Sequence, residues 1–188
     1  MKIKNLILIT MTACCLNLCA ADCHHIVPFI LKWEGGYARL PNDPGGETNK
    51  GVTWATWQKF YGRTHERFMR MDTADWQLIF KRGYWDKIHG DEISSQRVAD
   101  VIAEWVWLSG ENIPVRNVQR ILGLPADGMI GPATVRAINA ADSQQLYEQL
   151  LAARYRFIGH IPFYNSTNWQ FLDGWLNRLS AFLFFENQ

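Results

Sequence analysis

Glu34 sits in the run Trp33-Glu34-Gly35-Gly36-Tyr37, and Asp43 follows nine residues later in Asp43-Pro44-Gly45-Gly46-Glu47-Thr48-Asn49-Lys50-Gly51-Val52-Thr53. Glu34 closes an apolar stretch and is followed at once by two glycines. A carboxyl set there, beside Trp33 and Tyr37, is expected to be partly desolvated. Desolvation disfavours the ionised form of a carboxyl, as a general acid working near neutral pH requires. Gly35 and Gly36 permit backbone paths and close approach that a Cβ would block. Asp43 offers a second carboxylate, and Thr48 and Asn49 offer a hydroxyl and an amide that could hold water. An acid, a second carboxylate and a positioned water are the parts of glycosidic hydrolysis. The same residues also suit a plain helix end and an Asp-Pro-Gly-Gly turn in which Asp43 bonds its own backbone. Spacing alone does not choose between these readings.

The elements that must position these groups read as helical almost throughout. Ile26, Phe29, Ile30 and Trp33 mark one apolar face of a first helix. Residues 35–52 are rich in Gly, Pro, Asn and Asp and read as a long loop, with at most a small hairpin. Thr53 can cap a short helix carrying Trp54, Trp57 and Phe60. Thr73 opens another through Phe80 that leads to Tyr84-Trp85. Ser94 or Ser95 can cap a helix through Val98, Val101, Ile102 and Trp105, which Ser109-Gly110 ends. Val115, Val118, Ile121 and Leu122 mark the next. Gly131-Pro132 starts one with proline at its first position. Asp142 begins a long helix, and a final helix runs from about Asn168 to Phe185. The pattern predicts an all-α fold, with a boundary near Glu111–Pro114.

The first motif and its continuation resemble the glycoside hydrolase family 108 N-acetylmuramidases, bacterial and phage lysozymes that cut peptidoglycan. The similarity runs through Tyr84-Trp85 and the Trp-rich stretch ending at Ser109-Gly110. It passes into a back part similar to the peptidoglycan-binding domain that accompanies the family. There Val118-Gln119-Arg120-Ile121-Leu122-Gly123 precedes Asp127-Gly128-Met129-Ile130-Gly131-Pro132-Ala133-Thr134, followed by Arg154-Tyr155-Arg156-Phe157 and Gly174-Trp175-Leu176-Asn177-Arg178. The resemblance implies a lysozyme-like helical front part with a packed helical C-terminal part. The expected division is a muramidase domain over 24–111 and a peptidoglycan-binding-like domain over 112–188. It implies hydrolysis of the β-1,4 bond between N-acetylmuramic acid and N-acetylglucosamine. Glu34 takes the catalytic acid role, Asp43 that of stabiliser, base or nucleophile, and Thr48 that of water holder. Tyr37, Gly46, Asn49 and Trp85 are the expected substrate contacts, although for aromatics such as Trp54, Trp57 and Trp85 a place in the core is at least as good a reading. One departure stands out: Glu104 and Leu108 occupy positions where relatives often carry Asp and Asn. Asp100 and Glu104 lie one helical turn apart and rival Asp43 as second carboxylate, with a solvated helix face as the plainer reading. Gly174-Trp175 with Asn177 and Arg178 offers a packing contact to the front part.

The 188 residues carry 19 Lys+Arg against 18 Asp+Glu, a balance that argues against a nucleic-acid binder. All four cysteines, Cys14, Cys15, Cys19 and Cys23, fall in the first 23 residues and cannot staple a distant core. Lys2 and Lys4, an apolar run from Leu6 to Leu18 and small residues at 19–21 have the layout of an export signal over 1–21, too short for an ordinary membrane span. Cleavage after Ala20 or Ala21 is the favoured reading, with lipid modification at Cys14 or Cys19 as the alternative. The expected location is therefore the periplasm or cell exterior. His24-His25, His65, His89 and His160 show no metal-ligand spacing, so neither metal nor cofactor is expected. The expected partner is the peptidoglycan glycan strand, met by a monomer with no transmembrane span. A lytic transglycosylase and a non-catalytic wall-binding protein are the alternatives.

Overall fold

The computed structural model describes residues 20–39, 46–164 and 166–185, so Asp43 and all of the expected export signal except Ala20 and Ala21 lie outside the described residues. Among the described residues it contains nine α-helices and one two-stranded hairpin. The first helix, α1 (Cys23–Trp33), starts where the Asp22 side chain accepts from the His24 backbone N–H at 2.9 Å. Its buried face is Cys23, Ile26, Val27, Phe29 and Ile30. It stops at Glu34, whose backbone turns extended (φ −88°, ψ 136°) while its N–H still donates to Ile30 O.

The loop after α1 returns as the antiparallel hairpin β1 (Thr48–Asn49) and β2 (Val52–Thr53), with Thr48 opposite Thr53. Lys50 (φ 48°) and Gly51 (φ 76°) form its tip. Two successive positive φ values are the signature of the tight turn whose twist matches a hairpin. Ala38 extends the pairing through two backbone bonds to Thr48, at 2.8 and 2.9 Å. Buried Asn49 pins the hairpin from beneath, donating to Phe68 O at 2.7 Å and Met69 O at 3.2 Å.

Three short helices follow: α2 (Trp54–Tyr61), capped by the Thr53 hydroxyl; α3 (His65–Met69); and α4 (Thr73–Phe80), capped by Asp72. A π-helical turn over Lys81–Trp85 continues α4. At its end Trp85 is fully buried and donates to Asp91 at 2.7 Å. Gly90 lies so close over this indole that a Cβ there would collide with the ring.

The centre of the molecule is α5 (Gln96–Ser109), in which every residue from Val98 to Val106 is buried. α1 and the π-turn pack on it from the front part; α6 (Asn112–Ile121) and α8 (Ser143–Tyr164) pack on it from the back. A helix covered on all sides is normally apolar all round. The exceptions here are Asp100 and Glu104, both 0% exposed, so the expected solvated face is absent. Asp100 instead accepts from His25 Nδ1 at 2.6 Å and Gln96 Nε2 at 2.9 Å. Pro132 opens α7 (Pro132–Ala140) at its first turn, as its sequence predicts. A 3₁₀ segment over 166–171 leads into α9 (Leu172–Phe185), which closes the structure by packing on α1 and α8. Phe182 of α9 meets Phe29 of α1 edge-on, with ring centroids 5.3 Å apart.

The aromatic excess is largely core. Trp57, Trp76, Trp85, Trp105, Phe68, Phe80 and Phe182 are all under 2% exposed. Truncating any one to alanine costs about 3–5 kcal/mol. No described helix is long and apolar enough to cross a membrane.

Candidate active site

The end of α1 directs Glu34 between the hairpin tip and α5. Its side chain is 14% exposed. Two donors converge on the same oxygen, Oε1: Trp107 Nε1 from α5 at 2.8 Å and Arg178 Nη1 from α9 at 2.9 Å. The other oxygen, Oε2, lies against Gly51. A Cβ on Gly51 would come within 2.8 Å of both Glu34 Cδ and Trp107 Cζ2. This glycine is therefore required twice, by its positive φ and by the carboxyl above it.

Trp107 is fixed by an aromatic stack. Its ring centroid lies 4.7 Å from Tyr84, 5.0 Å from Trp76 and 6.0 Å from Phe80. Trp76 donates to Lys50 O at 2.9 Å and so ties the stack to the hairpin tip. The π-turn swings Tyr84 into this wall, a role consistent with the frequent use of such turns at functional sites. Burial pushes the Tyr84 phenol above its usual range, and the nearby charge of Glu34 adds to the effect.

Arg178 bridges two carboxylates. Its Nε donates to Glu104 Oε1 at 2.8 Å while its Nη1 holds Glu34. Glu104 also pairs, through Oε2, with Arg154 Nη2 of α8. The result is a buried chain, Glu34–Arg178–Glu104–Arg154, of two anions and two cations drawn from four helix segments. Burial pulls the Arg154 guanidinium down from its usual range, against the opposing pull of Glu104. The mutual attraction offsets the desolvation of each charge only while all four remain.

The structure brings Glu34 together with Gly51, Trp107, Tyr84 and Arg178. Tyr37 is 39% exposed and packs edge-on against Phe68. Gly46 is exposed with φ 68°, and nothing lies within 4 Å of a Cβ placed there. Thr48 is half-buried in β1, its backbone taken up by Ala38. Asn49 and Trp85 are buried and spend their polar groups on backbone and on Asp91. Neither presents a surface to a substrate in this arrangement. Glu47, just ahead of Thr48, bonds His65 at 2.5 Å, and this contact holds its carboxyl below the usual range. Glu104, read either as a rival second carboxylate or as part of a solvated face, is locked between two arginines. Trp107 and Arg178 were not singled out as site groups by spacing. Their sequence separations from Glu34, 73 and 144 residues, carry no local signal.

Metal chemistry has one place to be tested among the described residues. Donor atoms of Asp22, Cys23 and His24 lie within 4.8 Å of one another. All three are otherwise engaged: Asp22 caps α1, His24 bonds Asp22 at 2.7 Å, and burial pushes the Cys23 thiol up to about 11. A thiol kept protonated is a poor metal ligand.

The mostly helical architecture, with a partly buried and doubly hydrogen-bonded glutamate at the end of its first helix, is that of a lysozyme-like fold. Residues 27–110 match the family model described as glycosyl hydrolase 108, and residues 113–180 match the predicted peptidoglycan domain. The chain thus carries a glycosyl hydrolase 108 domain followed by a peptidoglycan domain, and is a peptidoglycan hydrolase. Among solved structures it is similar to that of Brucella abortus SagA, at 28% identity, covering 85% of this chain and 90% of that chain with a TM-score of 0.71. No curated protein matches it significantly.

Proposed function

We propose that the enzyme is an N-acetylmuramidase that hydrolyses the β-1,4 bond between N-acetylmuramic acid and N-acetylglucosamine, with Glu34 as general acid. The observation that carries this reading is the asymmetric support of the Glu34 carboxyl. Trp107 and Arg178 both donate to Oε1, so Oε2, the oxygen beside the Gly51 tip, is the one left free to take up a proton and pass it on. Delivery of that proton to the glycosidic oxygen releases the leaving sugar as positive charge develops at the anomeric carbon. Arg178 and Trp107 then stabilise the carboxylate left behind, without moving, as preorganised donors do. On a spacing from Glu34 that resembles phage-type lysozymes, Asp43 serves the developing charge, as stabiliser, base or nucleophile, and Thr48 holds the attacking water. Tyr37, half-exposed beside the hairpin, is the aromatic surface available to a sugar face.

Arg178 belongs to the segment that matches the peptidoglycan domain, so the proposed catalytic unit, 24–111, is completed by a residue of the proposed binding unit, 112–188. Export through the N-terminal signal would bring the enzyme to its substrate in the periplasm or outside the cell. Digestion of purified peptidoglycan with mass analysis of the muropeptides tests the reaction. Muramidase action adds one water per cut and leaves reducing N-acetylmuramic ends. Anhydro-muramic ends would assign a lytic transglycosylase instead.

A further inference from the structure

Thr48 sits on a hairpin whose strands are two residues each. A two-stranded hairpin is marginal by itself, so what ties it to the rest of the fold decides where its side chains point. Successive side chains of a strand face opposite ways. Asn49 turns toward α3, where Phe68 O and Met69 O take its amide, and Thr48 therefore faces away from α3. On the other side of Thr48, Glu47 reaches α3 as well, with Oε2 2.5 Å from His65 Nε2. Two ties to one helix thus flank Thr48. The Asn49 tie is buried; the Glu47–His65 tie is partly open, with side chains 16% and 43% exposed. Glu47 also takes a hydrogen bond from Tyr37 and lies 3.4 Å from Arg39 Nε. It is the point where the loop after α1, the hairpin and α3 meet. The His65 ring is itself held, with centroids 5.1 Å from Trp54 and 6.1 Å from Phe68.

We propose that Glu47 and His65 are positioning residues for the hydrolytic step: together they clamp β1 to α3 and so fix the direction of the Thr48 hydroxyl and of the water it holds. The proposal rests on the water-holding role given to Thr48 above. Neither residue touches the substrate; both act through the strand. A hydrogen bond to an ionised carboxylate is short and roughly twice as strong as a neutral one, which suits it to pin a strand. An ion pair this open to solvent adds little to global stability. Its loss therefore shows in the rate, because a shift of Thr48 by a fraction of an ångström leaves the fold intact and misplaces the nucleophile. The Asn49 tie keeps the hairpin attached when the Glu47–His65 tie is cut, so the effect is a loosened strand and not an unfolded one.

The test is a set of His65 variants in the whole chain, alone and combined with Thr48→Ala, with kcat and KM measured on soluble peptidoglycan fragments. Long digestions keep weak variants measurable. His65→Phe keeps a ring between Trp54 and Phe68 but has no N–H for Glu47. It should lose about tenfold in kcat with KM within about twofold and Tm within a few degrees of wild type. His65→Gln places an amide nitrogen near the position of Nε2 and should recover kcat to within about threefold. In the Thr48→Ala background, His65→Phe should cost less than about a further twofold, since the group it positions is already gone. Should His65→Phe fail to fold, Glu47→Gln weakens the same bond from its other end and must give the same pattern. Equal losses in His65→Phe and His65→Gln, an undiminished loss in the Thr48→Ala background, a loss confined to KM, or a His65→Phe enzyme at the wild-type kcat would each overturn the proposal. Thr48→Ala at the wild-type rate would overturn it together with the water-holding role, while Glu34→Gln reports on the general acid separately.

Discussion

Gly51→Ala isolates the fit between the hairpin tip and the Glu34 carboxyl. The new methyl would meet Glu34 Cδ at 2.8 Å and Trp107 Cζ2 at the same distance, where ordinary contact begins at 3.4 Å. The Trp107 ring is clamped by Tyr84 and Trp76, so the glutamate gives way. It must retreat by about 0.6 Å at Cδ, and further at Oε2, to reach ordinary van der Waals separation. That movement lengthens the bonds to Trp107 and Arg178 and misdirects the proton. A displacement approaching 1 Å costs about 100-fold in rate. The residue at φ 76° adds a backbone cost of about 1–3 kcal/mol to the folded state. Gly62→Ala separates the two effects, since Gly62 has φ 65° with open space around it. Both variants should lose a few degrees of Tm, but only Gly51→Ala should lose about 100-fold in kcat on peptidoglycan. A Gly51→Ala enzyme within about threefold of wild type, or an equal loss in Gly62→Ala, would refute the reasoning.

Two further outcomes follow from the same arrangement. Arg178→Ala strands Glu34 and Glu104 in a buried site and should destabilise the fold by about 3–5 kcal/mol, read by chemical denaturation. Arg178→Lys should recover part of that stability yet remain low in kcat at unchanged KM, because an ammonium cannot span both carboxylates as the guanidinium fork does. Tyr84, raised by burial, should make stability fall more steeply above about pH 10, where the unfolded chain ionises this phenol first and therefore binds fewer protons than the native state. Tyr84→Phe should flatten that limb of a denaturation midpoint plotted from pH 8 to 11, and an unchanged slope would count against the burial of its hydroxyl.

Helix boundaries were legible because they are written locally, and the hairpin only as the most that the 35–52 loop would hold. The cap at Thr53, proline at 132 and glycine at 110 act within a few residues of the bonds they control, whereas the Asp72 cap before Thr73 passed unnoticed. The end of the first helix at Glu34 was legible from the Gly35-Gly36 pair for the same reason. The environment of Glu34 was not, since Trp107 and Arg178 reach it only after α5 and α9 have docked. The mistaken reading of Asp100 and Glu104 as a solvated face has a visible remedy. Val98, Ala99, Val101, Ile102, Ala103, Trp105 and Val106 leave no polar side on that helix, so carboxylates within it had to be buried and paired. Arg178 itself was noticed only as a packing contact to the front part. A guanidinium that answers two buried carboxylates is what charge balance in the core required. Trp85 and Asn49 sit in motif-rich segments, yet their neighbours Gly90 and Phe68 turn them into the core.

The most direct measurement is the rate of peptidoglycan hydrolysis by wild type and Glu34→Gln at matched concentration, with folding of the variant verified by its thermal transition. Glutamine keeps the shape and the acceptor for Trp107 and Arg178 but has no proton to give. The general-acid role predicts a folded variant slower by about 100-fold or more; a folded Glu34→Gln enzyme cutting at the wild-type rate would contradict it.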